Sequence, residues 1–471
     1  MGTKEAKSQR ERLRLLDRFK PGTPAAATAI ELLQKMIRVD TTNPPGNEIA
    51  LARDLEAWVK SRGYDFVKTR ILESEPGRAS LIVDIPGTGP SNNPSWGFMG
   101  HLDVVPAEGK WEHPPFSGDL VDAGHDTFIW GRGAMDIKYL GAVYLTAAFT
   151  LLGEGFKPKG NIKILLCADE EQGGHKGLEW LAKNHFDAIK VDCCINEGGG
   201  FKLPTKDDFV IQVGEKGVFW TRLRIHGKGG HGSMPPDFDT TAIYKMVRVL
   251  ARLKKYKPRL VIGPEYLATI DGISIPGALK GLVKVKGILR GLLALAEKVT
   301  GLKLRQLVLP LVSNTIAVTN FHSGIKENSI SPDADIVLDI RTLPGVGREQ
   351  VNAMIKEAVG ARLYDEIGIE PIDNQMCTTT TIDNEYYRAI ARVTNEIYPG
   401  AHLVPLLSQG STDSKFFRER GIQAYGFCPC IKDEDLSYDE LMSLAHNANE
   451  RLSVTNLMLG VDFTYRVMRQ V

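Results

Sequence analysis

Five short stretches of this sequence hold acids and imidazoles in arrangements that could do chemistry. The first is Gly100-His101-Leu102-Asp103-Val104-Val105-Pro106, which follows an apolar run, 96–99, that reads as a buried strand. On an extended chain His101 and Asp103 face the same side, which suits a metal-ligating imidazole and a carboxylate that takes its other ring N–H and orients it. Gly131-Arg132-Gly133-Ala134-Met135-Asp136-Ile137-Lys138 comes next. Asp169-Glu170-Glu171, Asn196-Glu197-Gly198-Gly199-Gly200 and His446-Asn447-Ala448-Asn449-Glu450 close further apolar runs. Brought together, Asp136, Glu171 and Glu197 would set three negative charges beside neutral His101 and His446, an arrangement that is strongly repulsive without cations. Two zinc ions supply four positive charges, and a hydroxide balances the one left over. Zinc suits imidazole and carboxylate donors, and a position left to water marks a catalytic site; structural sites favour cysteine and close all four positions. Unrelated surface carboxylates explain any one stretch alone, but not the five together.

The elements around these stretches alternate. Helical spacing at 27–39 and 48–61 is followed by a strand at 79–85 and the strand at 96–99 that leads to His101, then by a helix at 139–152 whose small and apolar residues repeat all round, as in a buried helix. A strand at 161–168 delivers the acids at 169–171. After a helix at 176–185, a strand at 191–195 delivers Glu197. Such alternation predicts an α/β sheet with ligands gathered outside the carboxyl ends of its strands. From 214 the order becomes strand 218–225, helix 240–254, strands 315–321 and 334–341, helix 348–359 and strand 366–371, the split ferredoxin-like βαββαβ motif. The first pattern resumes with helices at 386–398 and 453–466. The expected domains are therefore a catalytic unit in two parts, 1–213 and 377–471, with a second domain, 214–376, inserted in it. Within the second domain, 262–311 is a further insertion rich in Leu, Val and Lys, whose amphipathic segments could pack on that domain, cover the cleft or line an acyl channel.

These motifs resemble, over nearly the whole chain, the co-catalytic zinc aminoacylase and carboxypeptidase family, which includes aminoacylase, carboxypeptidase G, succinyl-diaminopimelate desuccinylase and carboxypeptidase S. The resemblance implies an α/β fold, a zinc-peptidase-type mixed sheet flanked by helices, with an inserted ferredoxin-like lid and dimerisation domain. It implies that His101 and Glu197 bind one zinc, that Glu171 and His446 bind the other, and that Asp136 bridges them. Some relatives carry Asp where Glu197 stands, and either carboxylate can ligate. Asp103 would orient His101, and the Asp136–Ile137 peptide would be cis. Glu170 would be the general base: it neighbours a ligand at a strand end, where consecutive side chains diverge and one can face the water. His231, in Gly227-Lys228-Gly229-Gly230-His231-Gly232-Ser233, would reach across a homodimer to the oxyanion in the partner's site; without the resemblance it reads as a turn residue. Asn328 and Arg341 would contact the substrate's carboxylate, although an Arg on a buried strand equally suits an ion pair. Thr412, in Gly410-Ser411-Thr412-Asp413, lies in a loop with the same expectation or with ordinary turn chemistry. Asn314-Thr315-Ile316-Ala317 and Gly324-Ile325-Lys326-Glu327-Asn328 resemble the branch of carboxypeptidase S and N-fatty-acyl amino acid hydrolases.

The resulting expectation is a metal-dependent amidohydrolase that cleaves N-acyl amino acids or small peptides bearing a free carboxylate, with two Zn2+ ions, or Co2+ or Mn2+, which the same ligands accept. A dipeptidase or carboxypeptidase without acyl-chain preference is the alternative within enzymes; a non-catalytic binding protein on the same fold is the alternative outside them. Composition sets the limits. The 471 residues, 43% hydrophobic and 24% charged, are those of a globular chain of two or three domains. A net charge of +1 gives no basic face for nucleic acid, and no apolar run has the length of a membrane span. Residues 1–20 are rich in Lys, Arg and Glu without a signal-peptide core, so a cytoplasmic protein is expected. The six cysteines are too few and too irregular for a disulfide framework.

Overall fold

The computed structural model describes residues 9–90, 92–301, 303–434, 436 and 438–471; residues 1–8 of the charged leader lie outside these. Helix α1 (Pro24–Arg38) starts where Thr23 accepts the amide of Ala26 at 3.3 Å and Pro24 fills a position that needs no N–H donor. It buries Ala29, Leu33, Met36 and Ile37 on one face. After α2 (Glu48–Lys60) come β1 (Lys68–Glu75), β2 (Arg78–Ile85), β3 (Trp96–His101) and the short strands β4 (Asp119–Asp122) and β5 (Thr127–Trp130). Helix α3 (Lys138–Gly153) is apolar on every side and is buried almost throughout, as its sequence predicts. Then follow β6 (Ile162–Cys167), α4 (Leu178–Asn184), β7 (Cys193–Asn196) and β8 (Asp208–Glu215).

A four-stranded antiparallel sheet follows, built from β9 (Gly217–His226), β11 (Thr315–Ser323), β13 (Asp333–Thr342) and β14 (Ile367–Pro371) in the order β11-β13-β9-β14. Helices α5 (Ala242–Lys255) and α10 (Arg348–Val359) supply Met246, Val249, Val351 and Ile355 to its core. A separate two-stranded ribbon pairs β10 (Gly230–His231) with β12 (Ser329–Ile330). Between α5 and β11 the insertion forms α6 (Pro264–Gly272), α7 (Gly277–Val283), α8 (Lys286–Thr300) and α9 (Leu304–Val308) around its own cluster of Tyr266, Ile270, Val283, Leu289 and Leu293.

The chain then returns to the large sheet with β15 (Thr378–Thr379), α11 (Glu385–Ile397), β16 (His402–Ser408), α12 (Ser414–Arg418), β17 (Gln423–Gly426), β18 (Arg451–Ser453) and α13 (Val454–Met468). The large sheet runs β1-β2-β6-β3-β7-β17-β8-β15, with β16 parallel to β8. It is mixed: β6, β3, β7 and β17 are parallel neighbours, β2 runs antiparallel to β6, and β8 runs antiparallel to β17. Their continuous apolar runs suit strands covered by helices on both faces. The insertion packs on this sheet: the Thr269 hydroxyl of α6 donates to the Pro405 carbonyl of β16 at 2.6 Å. Among the described residues no helix is long and apolar enough to cross a membrane.

Candidate metal centre and cleft

Three adjacent parallel strands, β6, β3 and β7, end side by side and present His101, Glu170, Glu171 and Glu197, while Asp136 comes from the loop before α3 and His446 from the segment before β18. His101 is the last residue of β3 and Glu197 follows β7 directly. Glu170 and Glu171 are not at a strand end, as the sequence suggested, but in a single 3-10 turn (Glu170–Gln172) after Asp169, whose φ of 69° breaks the strand. Asp169 turns inward to Arg78 at 2.7 Å, and the next two acids turn toward the cleft.

His101 Nε2 lies 3.3 Å from Asp136 Oδ1, and His446 Nε2 lies 3.0 Å from Asp136 Oδ2 and 3.2 Å from Glu171 Oε2. One carboxylate thus stands between two imidazoles, a different oxygen toward each. Glu170 and Glu197 each approach His101 Nε2 to 3.9 Å. His101, Asp136 and Glu171 each offer a donor atom within 4.8 Å of the others, and so do His101, Glu170 and Glu197. The buried Glu171 Oε1 has no hydrogen-bond partner. An orphaned carboxylate oxygen amid hard oxygen and imidazole donors fits a pair of divalent cations. The Asp136–Ile137 peptide is cis, as the family resemblance implied.

The electrostatics agree with that fit. Burial lowers the His101 imidazole, yet its bond to Asp136 and the charges of Glu197 and Glu170 outweigh this and hold it well above the usual range. Hydrogen bonds to Asp136 and Glu171 push His446 up to about 10. Burial pushes Glu197 up to about 8 and Glu170 well above the carboxylate range. These acids are too close to carry their charges without compensating positive charge.

Supporting groups fix the ligands. His101 Nδ1 hydrogen-bonds the backbone carbonyl of Asp103 at 2.8 Å, while the Asp103 carboxylate stands 3.5 Å off. That carboxylate instead accepts the backbone amides of Glu170 and Glu171, each at 3.1 Å, and the Asn43 amide at 2.8 Å. Asp103 therefore orients the imidazole through its main chain and the acidic turn through its side chain. Glu450, fully buried, accepts the backbone amides of Gly133, Met135 and Asp136 and pairs with Arg132 at 2.7 Å, which sets the loop carrying Asp136. Its neighbour β18 pairs with β5 and brings this segment alongside.

Two cavities meet at this cluster, and Asp136 and Glu197 line both. The larger, about 460 Å³, has a mixed wall of Arg341, Gln375, Thr412, Lys415 and His446 with Val218 and Trp220, between the two sheets. Arg341 donates to Asp339 at 2.7 and 3.0 Å, so the ion pair expected as its alternative role is present and its guanidinium also faces the cavity. Thr412 is held by Glu215 through its amide at 2.8 Å and its hydroxyl at 2.6 Å. Lys415, whose Nζ donates to Ser411 at 3.2 Å, was not singled out from the sequence. The smaller cavity, about 170 Å³, is lined by Met135, Ile137, Tyr139, Phe201, Pro429 and Leu441. His231 and Asn328 line neither cavity: both are exposed on the β10–β12 ribbon, where Gly232 donates to the Asn328 carbonyl at 2.9 Å.

Known proteins share this architecture and much of the sequence. The chain is similar to aminoacylase-1 of Sus scrofa, 26% identical over 442 residues that cover 92% of this chain and 93% of the relative. It is likewise similar to the N-fatty-acyl-amino acid synthase/hydrolase PM20D1 of Xenopus tropicalis, 26% identical over 466 residues, 93% of this chain and 85% of the relative. Its fold matches the M20 family metallo-carboxypeptidase Sso-CP2 of Sulfolobus solfataricus with a TM-score of 0.69 at 20% identity, over 95% of this chain and 98% of that one. Residues 97–470, which include every candidate metal ligand, match the profile of peptidase family M20/M25/M40, and the chain belongs to that family of hydrolases.

Proposed function

We propose that this enzyme hydrolyses the amide bond of N-acyl amino acids whose acyl part is apolar. The observation that carries this reading is the pairing of cavities: a larger one that offers the cations Arg341 and Lys415 and a smaller, apolar one, joined at the carboxylates of Asp136 and Glu197. A substrate whose amide lies at the junction has its free carboxylate among cations and its acyl group among Met135, Ile137, Tyr139 and Phe201. The similarity to aminoacylase-1 and to an N-fatty-acyl-amino acid hydrolase supports the same choice.

In this proposal His101, Asp136 and Glu197 hold one divalent cation and Asp136, Glu171 and His446 a second. Zinc, when bound, polarises the scissile carbonyl and yields a nucleophile from water at neutral pH. Glu170 takes the proton of the attacking water and returns it to the departing nitrogen; a carboxyl raised by burial is suited to both transfers. Arg341 and Lys415 orient the carboxylate, with Thr412 as a wall of the same cavity. The 214–376 unit acts as lid and dimerisation domain. Its edge strand β11 leaves Val318 and Phe321 exposed at 42% and 47%, which suits an interface between two copies. His231 and Asn328 then serve the partner's cleft, His231 at the oxyanion. Six free cysteines, five of them buried, agree with a reducing, cytoplasmic setting.

The test is turnover of one amino acid carrying acyl groups of increasing length, beside dipeptides of the same amino acid. Each methylene that enters the apolar cavity should raise kcat/KM about fourfold, from roughly 0.8 kcal/mol per buried group, until the cavity is full. Equal turnover of dipeptides would favour the dipeptidase or carboxypeptidase alternative. Absence of any metal-dependent turnover would favour a binding protein.

A further inference from the structure

The insertion carries a surface that the hydrolytic site does not use. Leu289 and Leu293 of α8 are buried in the insertion's own core. The same helix has a second apolar stripe, Ile288, Leu292, Leu295 and Val299, spaced four, three and four residues apart and hence on one side. Three of them are exposed, Ile288 at 45%, Leu295 at 61% and Val299 at 79%, and Leu282 of α7 and Val285 in the connecting turn extend the patch. Residues 277–308 hold seven Lys and Arg against a single acid, Glu297, whereas the whole chain carries 58 Lys and Arg against 57 Asp and Glu. Glu297 is taken by Arg305 and Lys284 by Asp271, while Lys298 on the flank of the stripe, Lys286 at the start of the helix and Lys303 just past its end are exposed.

We propose that α7 and α8 dock this protein on an anionic lipid surface. The two chemistries of the patch select that occupant. A second copy would satisfy the apolar side chains but would set two strongly basic segments against each other in a symmetric contact. An anionic bilayer accepts the apolar stripe at its acyl boundary and the lysines among its headgroups, with their stems along the apolar surface. A helix of 15 residues is too short to span a bilayer, so it lies in the interface. Its base is firm: α6 packs on β16, and Lys216 donates to the Pro310 and Ser313 carbonyls at 2.9 and 2.7 Å, so the docked insertion holds the catalytic sheet in one orientation.

The experiment is sedimentation of the full chain with phosphatidylcholine vesicles with and without phosphatidylglycerol. The protein should partition to vesicles containing phosphatidylglycerol, less so as salt is raised. Leu295→Glu combined with Val299→Glu should abolish the partition without changing the melting temperature, since both side chains are exposed. Replacing Lys286, Lys298 and Lys303 by Gln should weaken it by about fivefold per charge. No partition to phosphatidylglycerol vesicles, or partition undiminished in both variants, would overturn the proposal. So would lipid-free self-association, seen by analytical ultracentrifugation, that the Leu295→Glu, Val299→Glu variant removes, because a second copy would then cover the patch.

Discussion

Glu170 and Glu171 occupy one turn, yet their carboxylates part: Glu171 hydrogen-bonds His446 and keeps an orphaned oxygen, while Glu170 points toward His101, its Oε2 3.9 Å from Nε2. With Glu170 as the proposed base and Glu171 as a proposed ligand, Glu170→Gln should lower kcat by about 10²–10⁴-fold with metal content unchanged. Glu171→Gln should instead release metal, as measured by atomic absorption after dialysis. Metal loss in Glu170→Gln with Glu171→Gln still loaded would reverse the two roles. Glu450 acts at one remove, since three backbone amides and Arg132 converge on it without solvent. Glu450→Gln leaves Arg132 buried without its counter-charge and should cost about 3–5 kcal/mol in urea unfolding. The retained amide oxygen should still position Asp136 well enough that the purified folded fraction binds metal.

Lys216 joins two elements, the end of β8 and the start of β9, and anchors the insertion through two carbonyls. Burial pushes its ammonium down to about 8, below the ordinary value of about 10.4 that it has when unfolded. Between these values the unfolded chain binds more protons than the folded one, so this residue makes stability rise with pH across that window; below about 8 its burial penalty is felt in full. The denaturant midpoint should therefore rise from pH 8 to pH 10 more in the wild type than in Lys216→Met, and equal slopes would remove Lys216 as the cause. Elements such as β3, β6, β7 and α3 were legible because their apolar patterns are local. Strands β1, β8, β16 and β17 were not: β1 is half exposed and charged, β17 is four residues long, and β16 contains Pro405, tolerable because it pairs on one side only. The candidate metal ligands were visible as residue types beside apolar runs. The roles of Glu450, Lys415 and the Asp103 main chain depend on contacts formed across the fold, for which no spacing in the sequence stands.

For the molecule as a whole, the proposed homodimer, in which His231 would complete the partner's cleft, gives a prediction that no single chain can imitate. Glu170→Gln and His231→Ala should each inactivate their own homodimers. Mixed subunits should recover activity, because one cleft of each hybrid combines an intact Glu170 with an intact His231 from the other copy; no recovery after verified exchange would confine His231 to a local role. The path of the chain through the large sheet has another consequence. Strand β17 lies between β7 and β8, and His446 is supplied twenty residues later than Gly426, its last residue. During synthesis the compact sheet spanning 217–371 can settle as soon as it emerges, but the large sheet keeps a gap at its centre until the final stretch leaves the ribosome. A nascent polypeptide therefore exposes the flanks of that gap to chaperones from the completion of β8 to that of β17, nearly half of its length, and amide-cleaving power arrives only with the last tenth of the message.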